Sequence, residues 1–298
     1  MPNTLKPLIA VPTTAGTGSE TTGVSIFDHT PTGAKTGIRD RALRPVLGII
    51  DPDHTKYCGP ELTAYTGLDV LCHALESYTA VKYNERVTGA PSSPQYRPAY
   101  QGCNPISDIW SAFALQQTAK YIRRAVEDND PVAREQMCLA STAAGVGFGN
   151  AGVHLCHAMS YPISSCVKKY QPASGYEHRS KEAMVPHGLS VILTAPAVFQ
   201  WTAQSDLDRH FAAAGHLGAN VTTRKAADAG AILADTIREL LSRWSFVPDG
   251  LSAVGYNSEH LNMLVKGTLP QKKVIDVSPR QPTSDDFHEL LSKSMKLF

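Results

Sequence analysis

The sequence predicts an α/β plus all-α fold, with an α/β part over residues 1–57 and an all-helical part over residues 58–298. Two observations carry this division. Before Pro60 the apolar residues come in short runs bounded by Gly, Pro, Thr and Asp, which is the pattern of strands. Beyond Gly59-Pro60 they recur at helical spacing over long stretches. With 298 residues, the chain is long enough to bury a sizeable core.

In chain order, LIAVPTT, VSIFD and VLGIID read as extended pieces, with KTGIRD between the last two. Pro60 and Glu61 open a helix to about Ala80, and a polar, Pro-rich loop at 89–105 follows. Asn104 as cap and Pro105 at the first helical position start a helix to about Glu127. Asp130-Pro131 starts another towards Asn150. A charged loop at 168–186 precedes an apolar segment at 188–200. Further helices are expected near 206–217, 224–245, 257–266 and 284–296, from spacings such as Ile232, Leu233, Ile237, Leu240 and Leu241. So few strands cannot cover their own apolar faces and edges. They are expected to pair with something else, or to be the second half of a larger sheet.

Lys+Arg 28 against Asp+Glu 27 leaves a net charge of +1, so nothing favours nucleic acid or an anionic membrane as partner. Six cysteines without a CxxC pair read as reduced thiols packed as small hydrophobes. The most apolar region, 139–163, carries Asn150, His154 and His157, which favours a buried helix over a membrane span. The opening MPNTLKPLIAVPTT has prolines at 2 and 7 and no arginine, and reads as neither a secretory signal nor an Arg-rich transit peptide.

The chemistry-bearing residues sit in three short segments. GLDVLCHALESY places Asp69 and His73 four residues apart in a helical run, so both leave one face. Leu68, Val70, Leu71, Ala74 and Leu75 surround them, and a buried carboxylate needs a charge partner or several hydrogen bonds. Residues 150–162 add His154 and His157, three apart and read as sharing a helix side; periodicity leaves open which of them is a ligand. His187 in PHG is either a further ligand or a helix cap set by Pro186. One carboxylate with three neutral imidazoles suits a single first-row transition metal, in an open site of the catalytic kind. Separately, the loop PTTAGTGSE at 12–20 follows a strand-like run and offers Thr, Ser and Gly, the chemistry of phosphate or ribose recognition. It is not GxGxxG, no P-loop lysine follows, and Ser19 lacks the G-x-S-x-G setting of a nucleophile.

PTTAGTGSE, GLDVLCHALESY, HAMSYP and PHG, in this order, resemble the iron-containing alcohol dehydrogenase family. RPAYQGCNPISDIW, GFGNAGVHLCHAMSYPIS and VPHGLSVILTAPAVF look most like its transhydrogenase branch, and the similarity runs from about Leu8 to Phe298. The resemblance implies a nucleotide-binding α/β domain followed by a helical metal domain. It implies the metal ligands Asp69, His73, His157 and His187, with His154 a core residue or one behind the ligands. It implies Thr13, Thr14 and Thr17 at the dinucleotide, with Lys35 aligned to a lysine of the same site. The cofactors so implied are Fe2+, with Zn2+ as the other choice, and NAD(H). The reaction that the resemblance implies is hydride transfer from a hydroxyacid such as 4-hydroxybutyrate to an oxoacid such as 2-oxoglutarate, in mitochondria.

Two departures accompany the resemblance. The family's glycine-rich pyrophosphate loop precedes TTAGT and has no counterpart here, so the chain is expected to be an N-terminally truncated or alternatively started product. Many family dehydrogenases carry a histidine four residues after the third ligand, where this chain has Tyr161, so no catalytic proton-transfer residue is assigned. The competing expectations are an NAD-dependent alcohol dehydrogenase, an inactive fragment acting by association, and a metal hydrolase. A homo-oligomer is an open expectation.

Overall fold

Up to Pro60 the chain builds four strands and no α-helix among the described residues, which in this computed structural model are 5–32, 34–86, 91–93, 96–174 and 183–298. β1 (Ile9–Ala10) pairs in parallel with β4 (Leu47–Gly48), Ile9 opposite Leu47. β2 (Val24–His29) and β3 (Ala34–Arg39) form an antiparallel hairpin with Val24 opposite Arg39 and Ile26 opposite Gly37. KTGIRD, expected as a connection between strands, is therefore mostly strand itself. Single turns of 3-10 helix link these pieces.

From Pro60 the helices follow as expected, because their starts are written in Pro and side-chain caps. α1 is Pro60–Thr79. α2 is Pro105–Glu127, with Asn104 accepting from the Ser107 amide. α3 is Pro131–Ala151, with the Asp130 carboxylate accepting from the amides of Val132 and Ala133. α4 (Leu155–Ser165), α5 (His187–Ile192), α6 (Ala195–Thr202), α7 (Leu207–His216), α8 (Ala229–Ser242), α9 (Leu261–Thr268), α10 (Lys272–Ile275) and α11 (Ser284–Lys293) complete the body. Residues 87–90, 94–95 and 175–182, within or beside the polar loops expected at 89–105 and 168–186, lie outside the described residues.

α1 is the axis of the helical body and packs against α2, α3 and α5. Leu68, Val70, Leu71, Cys72, Ala74 and Leu75 are all buried, so the helix is apolar around its whole circumference, as a central helix must be. Asp69, His73 and Glu76 interrupt that surface in an otherwise dry core.

Two expected segments are broken. The apolar region 139–163 is not one helix: α3 ends where Gly152 takes φ 101°, and α4 starts only at Leu155. A side chain at 152 would collide with the Tyr100 ring, whose Cγ lies 2.7 Å from the ideal Cβ position, so packing from a distant loop sets this break. His154 consequently sits at the cap of α4 with the non-helical backbone φ −131°, ψ −114°, and the reading that His154 and His157 share one helix side is corrected. The segment 188–200 is likewise two helices, α5 and α6, interrupted before Pro196, whose missing N–H suits a helix start.

Candidate metal centre

Three elements bring four side chains together. Asp69 and His73 leave one face of α1 four residues apart, and His157 lies in the first turn of α4. His187 is the first residue of α5; the cap position is Pro186, which makes no side-chain cap hydrogen bond, so the histidine is free of a capping role. The close approach of α5 rests on Gly188, where a Cβ would lie 1.9 Å from the Tyr65 carbonyl oxygen of α1. Any larger residue there would push His187 away from Asp69.

Asp69 Oδ1 is the focus. It lies 3.9 Å from His73 Nε2, 3.5 Å from His157 Nε2 and 3.9 Å from His187 Nε2. Asp69, His73 and His157 each present a ligand atom within 4.8 Å of the others, and all three are buried. The His73 ring stacks between Phe148 and His157, with centroid separations of 4.1 and 4.6 Å. His187 stands at the mouth, with 39% of its side chain exposed, which leaves the cluster one open side.

The donors fit a metal ion on an observation of their own. Asp69 Oδ1, His157 Nε2 and His73 Nδ1 are buried without a hydrogen-bond partner. Each such group costs roughly 1–3 kcal/mol when left unpaired, and two of them, Asp69 Oδ1 and His157 Nε2, face one another at 3.5 Å, whereas His73 turns Nε2 rather than Nδ1 towards them. A cation among them satisfies the carboxylate and imidazole lone pairs together. Three nitrogens and one oxygen are a donor set for zinc, iron, cobalt or nickel rather than for calcium or magnesium.

Electrostatics follow the same geometry. Burial alone would raise the Asp69 carboxyl, but His73, His187 and His157 outweigh it and hold the group well below the usual carboxylate range. Burial pushes His73 down to about 4 despite the pull of Asp69. Desolvation also lowers His187 against the pull of Asp69, with His157 and Lys35 adding to the fall. His157 behaves oppositely: burial would lower it, yet Glu76 and Asp69 raise it to about 10.

Glu76 is the residue the motif reading missed. Fully buried on α1, it accepts from the Cys156 amide at 2.7 Å through Oε1 and pairs with His157 Nδ1 through Oε2. His154 Nδ1 lies 3.4 Å from the same carboxylate, and its Nε2 meets Thr79 Oγ1 at 3.1 Å. His154 therefore lies behind Glu76, beside its carboxylate but without a hydrogen bond to it. The signal was available, since Asp69, His73 and Glu76 follow one another at helical spacings of four and three residues.

The residues assigned to a dinucleotide lie apart from this cluster but beside it. Thr13 and Thr17 are exposed and Thr14 partly so, on a loop whose Gly16 packs directly against Thr66, one turn before Asp69 on α1. Thr17 Oγ1 and Ser19 Oγ are hydrogen-bonded at 2.7 Å, and the Cys58 thiol donates to the Thr13 carbonyl at 3.7 Å. Lys35 on β3 is close enough to His187 to disfavour its protonation. Tyr161, one turn beyond His157 on α4, has its hydroxyl pushed up to about 12 by burial and by Tyr100, Glu76 and Asp69.

Comparison with known proteins gives the cluster its context. The chain is 55% identical over 295 residues to the mouse (Mus musculus) protein named hydroxyacid-oxoacid transhydrogenase, mitochondrial, an alignment spanning 99% of this chain and 62% of that relative. It thus spans less than two thirds of that relative's length. A 1,3-propanediol oxidoreductase crystal structure matches with TM-score 0.81 at 25% identity, over 99% of this chain and 67% of that one. Sulfoacetaldehyde reductase from Bifidobacterium kashiwanohense in complex with NAD+ matches with TM-score 0.73 at 26% identity, over 97% and 65%. Residues 1–52 match the iron-containing alcohol dehydrogenase model, and residues 98–169 and 177–295 match the C-terminal model of the Fe-containing alcohol dehydrogenase family. A helical body with α1 at its axis, a small strand region packed beside it and these family matches lead to one conclusion: the chain belongs to the iron-containing alcohol dehydrogenase family.

Proposed function

We propose that this chain is a metal-dependent oxidoreductase that passes hydride from a hydroxyacid to an oxoacid through NAD(H), with Asp69, His73, His157 and His187 as metal ligands. The observation that carries the reading is the convergence of three imidazole Nε2 atoms on the unpaired Asp69 Oδ1. The mouse relative's name supplies the substrate class. We propose iron as the metal, with zinc accepted by the same donors. Residues 1–57 take the nucleotide side of the molecule and 58–298 the metal side. Mitochondrial residence follows the relative's name.

When bound, the metal supplies Lewis-acid polarisation of the substrate's carbon–oxygen bond. The protein's own part is positional. Glu76 accepts the Nδ1 proton of His157, so that the proton a metal would displace is the one on Nε2, on the side of Asp69. His73, walled by Phe148, is held neutral as a ligand must be. Thr13 and Thr17 are exposed on the loop beside α1, available to a nucleotide, and Lys35 places a cation near His187.

The test is one preparation, purified without oxygen or chelator and assayed for metal, dinucleotide and turnover. About one metal and one dinucleotide per chain are expected. So is conversion of 4-hydroxybutyrate with 2-oxoglutarate in the absence of added NAD(H). Metal without dinucleotide, and no exchange even with NAD+ supplied, would overturn the proposal for this chain.

A further inference from the structure

A second constellation lies one helical turn from the metal cluster. A cleft of about 330 Å³ opens between the β2–β3 hairpin and α10, with Tyr100 and Tyr161 in its lining. Three cations line it: Arg39 from β3, and Lys272 and Lys273 from α10. Among the described residues no carboxylate lines it. Among the described residues none of these three cations has a salt-bridge partner.

Arg39 is built into place. Its guanidinium lies 3.4 Å from the Tyr100 ring centroid, and Nη2 donates to the carbonyls of Gly149 at 3.1 Å and Ala99 at 3.4 Å. Both bonds use Nη2, so Nε and Nη1 keep N–H groups that can donate to a carboxylate oxygen. Burial lowers its proton affinity, yet an arginine stays charged at any physiological pH. Tyr161 keeps its proton and is a hydroxyl donor. It follows His157 by four residues on α4, an offset of about 6 Å along the helix axis. Lys35, Gly37 and Arg39 alternate onto one face of β3, so the strand runs from His187 at one end to this cleft at the other.

We infer that Arg39, with Lys272, Lys273 and the Tyr161 hydroxyl, binds the distal carboxylate of a short-chain acid whose reacting carbon lies at the metal cluster. The inference rests on the proposed hydroxyacid–oxoacid reading and supplies the cationic anchor that such substrates need. The volume decides between anions. A cleft of about 330 Å³ is at the small end of ligand sites, large enough for a short dicarboxylic acid and too small for a dinucleotide.

The test is calorimetric titration of the full metal-loaded chain with glutarate, an unreactive acid, and separately with NAD+. Arg39→Gln is expected to bind glutarate about tenfold to a hundredfold more weakly, with NAD+ binding unchanged and Arg39→Lys recovering part of the loss. No glutarate binding by the wild type, unchanged binding in a folded Arg39→Gln, or a loss confined to NAD+ would overturn the inference. Should Arg39→Gln fail to fold, the double variant Lys272→Gln/Lys273→Gln decides, with severalfold weakening expected and unchanged affinity overturning it. Turnover separates the two claims. Arg39-dependent glutarate binding without hydride exchange sinks the proposed function and leaves the anchor. Exchange by the wild type and Arg39→Gln with equal KM for 4-hydroxybutyrate sinks the anchor and leaves the function.

Discussion

Glu76 touches none of the atoms expected to hold a metal except through His157, yet it decides what that imidazole offers. With the carboxylate on Nδ1, the ring's other nitrogen is the one that faces Asp69 and would serve a metal once its proton is lost. Glu76→Gln keeps an acceptor for the Cys156 amide but replaces the charge that holds the His157 proton in place. Metal affinity is therefore expected to fall about 10–100-fold while the helical circular dichroism stays that of the wild type. Competition against a chromophoric chelator measures it, and an unchanged affinity would show that Asp69 alone orients the ring. Much of the cluster was legible as residues: spacing singles out Asp69 and His73, the family resemblance chooses His157 over His154 and adds His187, and the structure brings the four together. Glu76 and Arg39 were not singled out, because a lone Glu in a helix and a lone Arg in a strand have surface readings that only packing removes.

At the level of elements, starts were legible and breaks were not. α1, α2 and α3 announce themselves by Pro at the first turn, with side-chain caps at Asn104 and Asp130, all local chemistry. The break between α3 and α4 depends on Tyr100, some fifty residues away, and no local pattern encodes it. The junction of α6 and α7 shows how an element end stores a pH dependence. His210 of α7 is buried, donates from Nδ1 to the Asp206 carbonyl at 2.8 Å and accepts at Nε2 from Thr202 Oγ1 at 2.8 Å, which requires the neutral ring. Burial pushes it down to about 4, with Arg209 adding to the fall and Asp206 opposing it. The unfolded histidine, near 6.5, takes up a proton first as pH falls. The stabilisation is therefore complete above about pH 6.5 and is lost progressively towards pH 4, by on the order of 3 kcal/mol in all. Urea unfolding of the wild type should lose stability more steeply over this window than His210→Gln. Parallel slopes for the two proteins would mean that His210 is already protonated in the fold.

The whole molecule is unevenly held together, and this determines which part opens first. The helical body closes around α1, whose Leu68, Val70, Leu71 and Leu75 are completely buried. β1 and β4 contribute only two residues each to their ladder. The residues around them are apolar and uncovered: Ile9 is 55% exposed, Val46 70% and Leu47 50%. Short ladders with open faces have little burial to oppose local opening, so their amides draw on a small part of the global stability. Between the two regions, Arg134 of α3 donates to the carbonyls of Thr55 at 2.6 Å and Cys58 at 2.8 Å, anchoring the connection at the start of α1. Opening of the strands is thus expected to stop at this clamp and to leave the metal cluster intact. In hydrogen exchange followed by mass spectrometry, peptides covering residues 8–11 and 46–50 should exchange orders of magnitude faster than those covering 67–77, at any protein concentration. Strand protection equal to that of α1 would overturn this expectation. If that protection also rose with concentration, the apolar strand faces would be covered by a second chain.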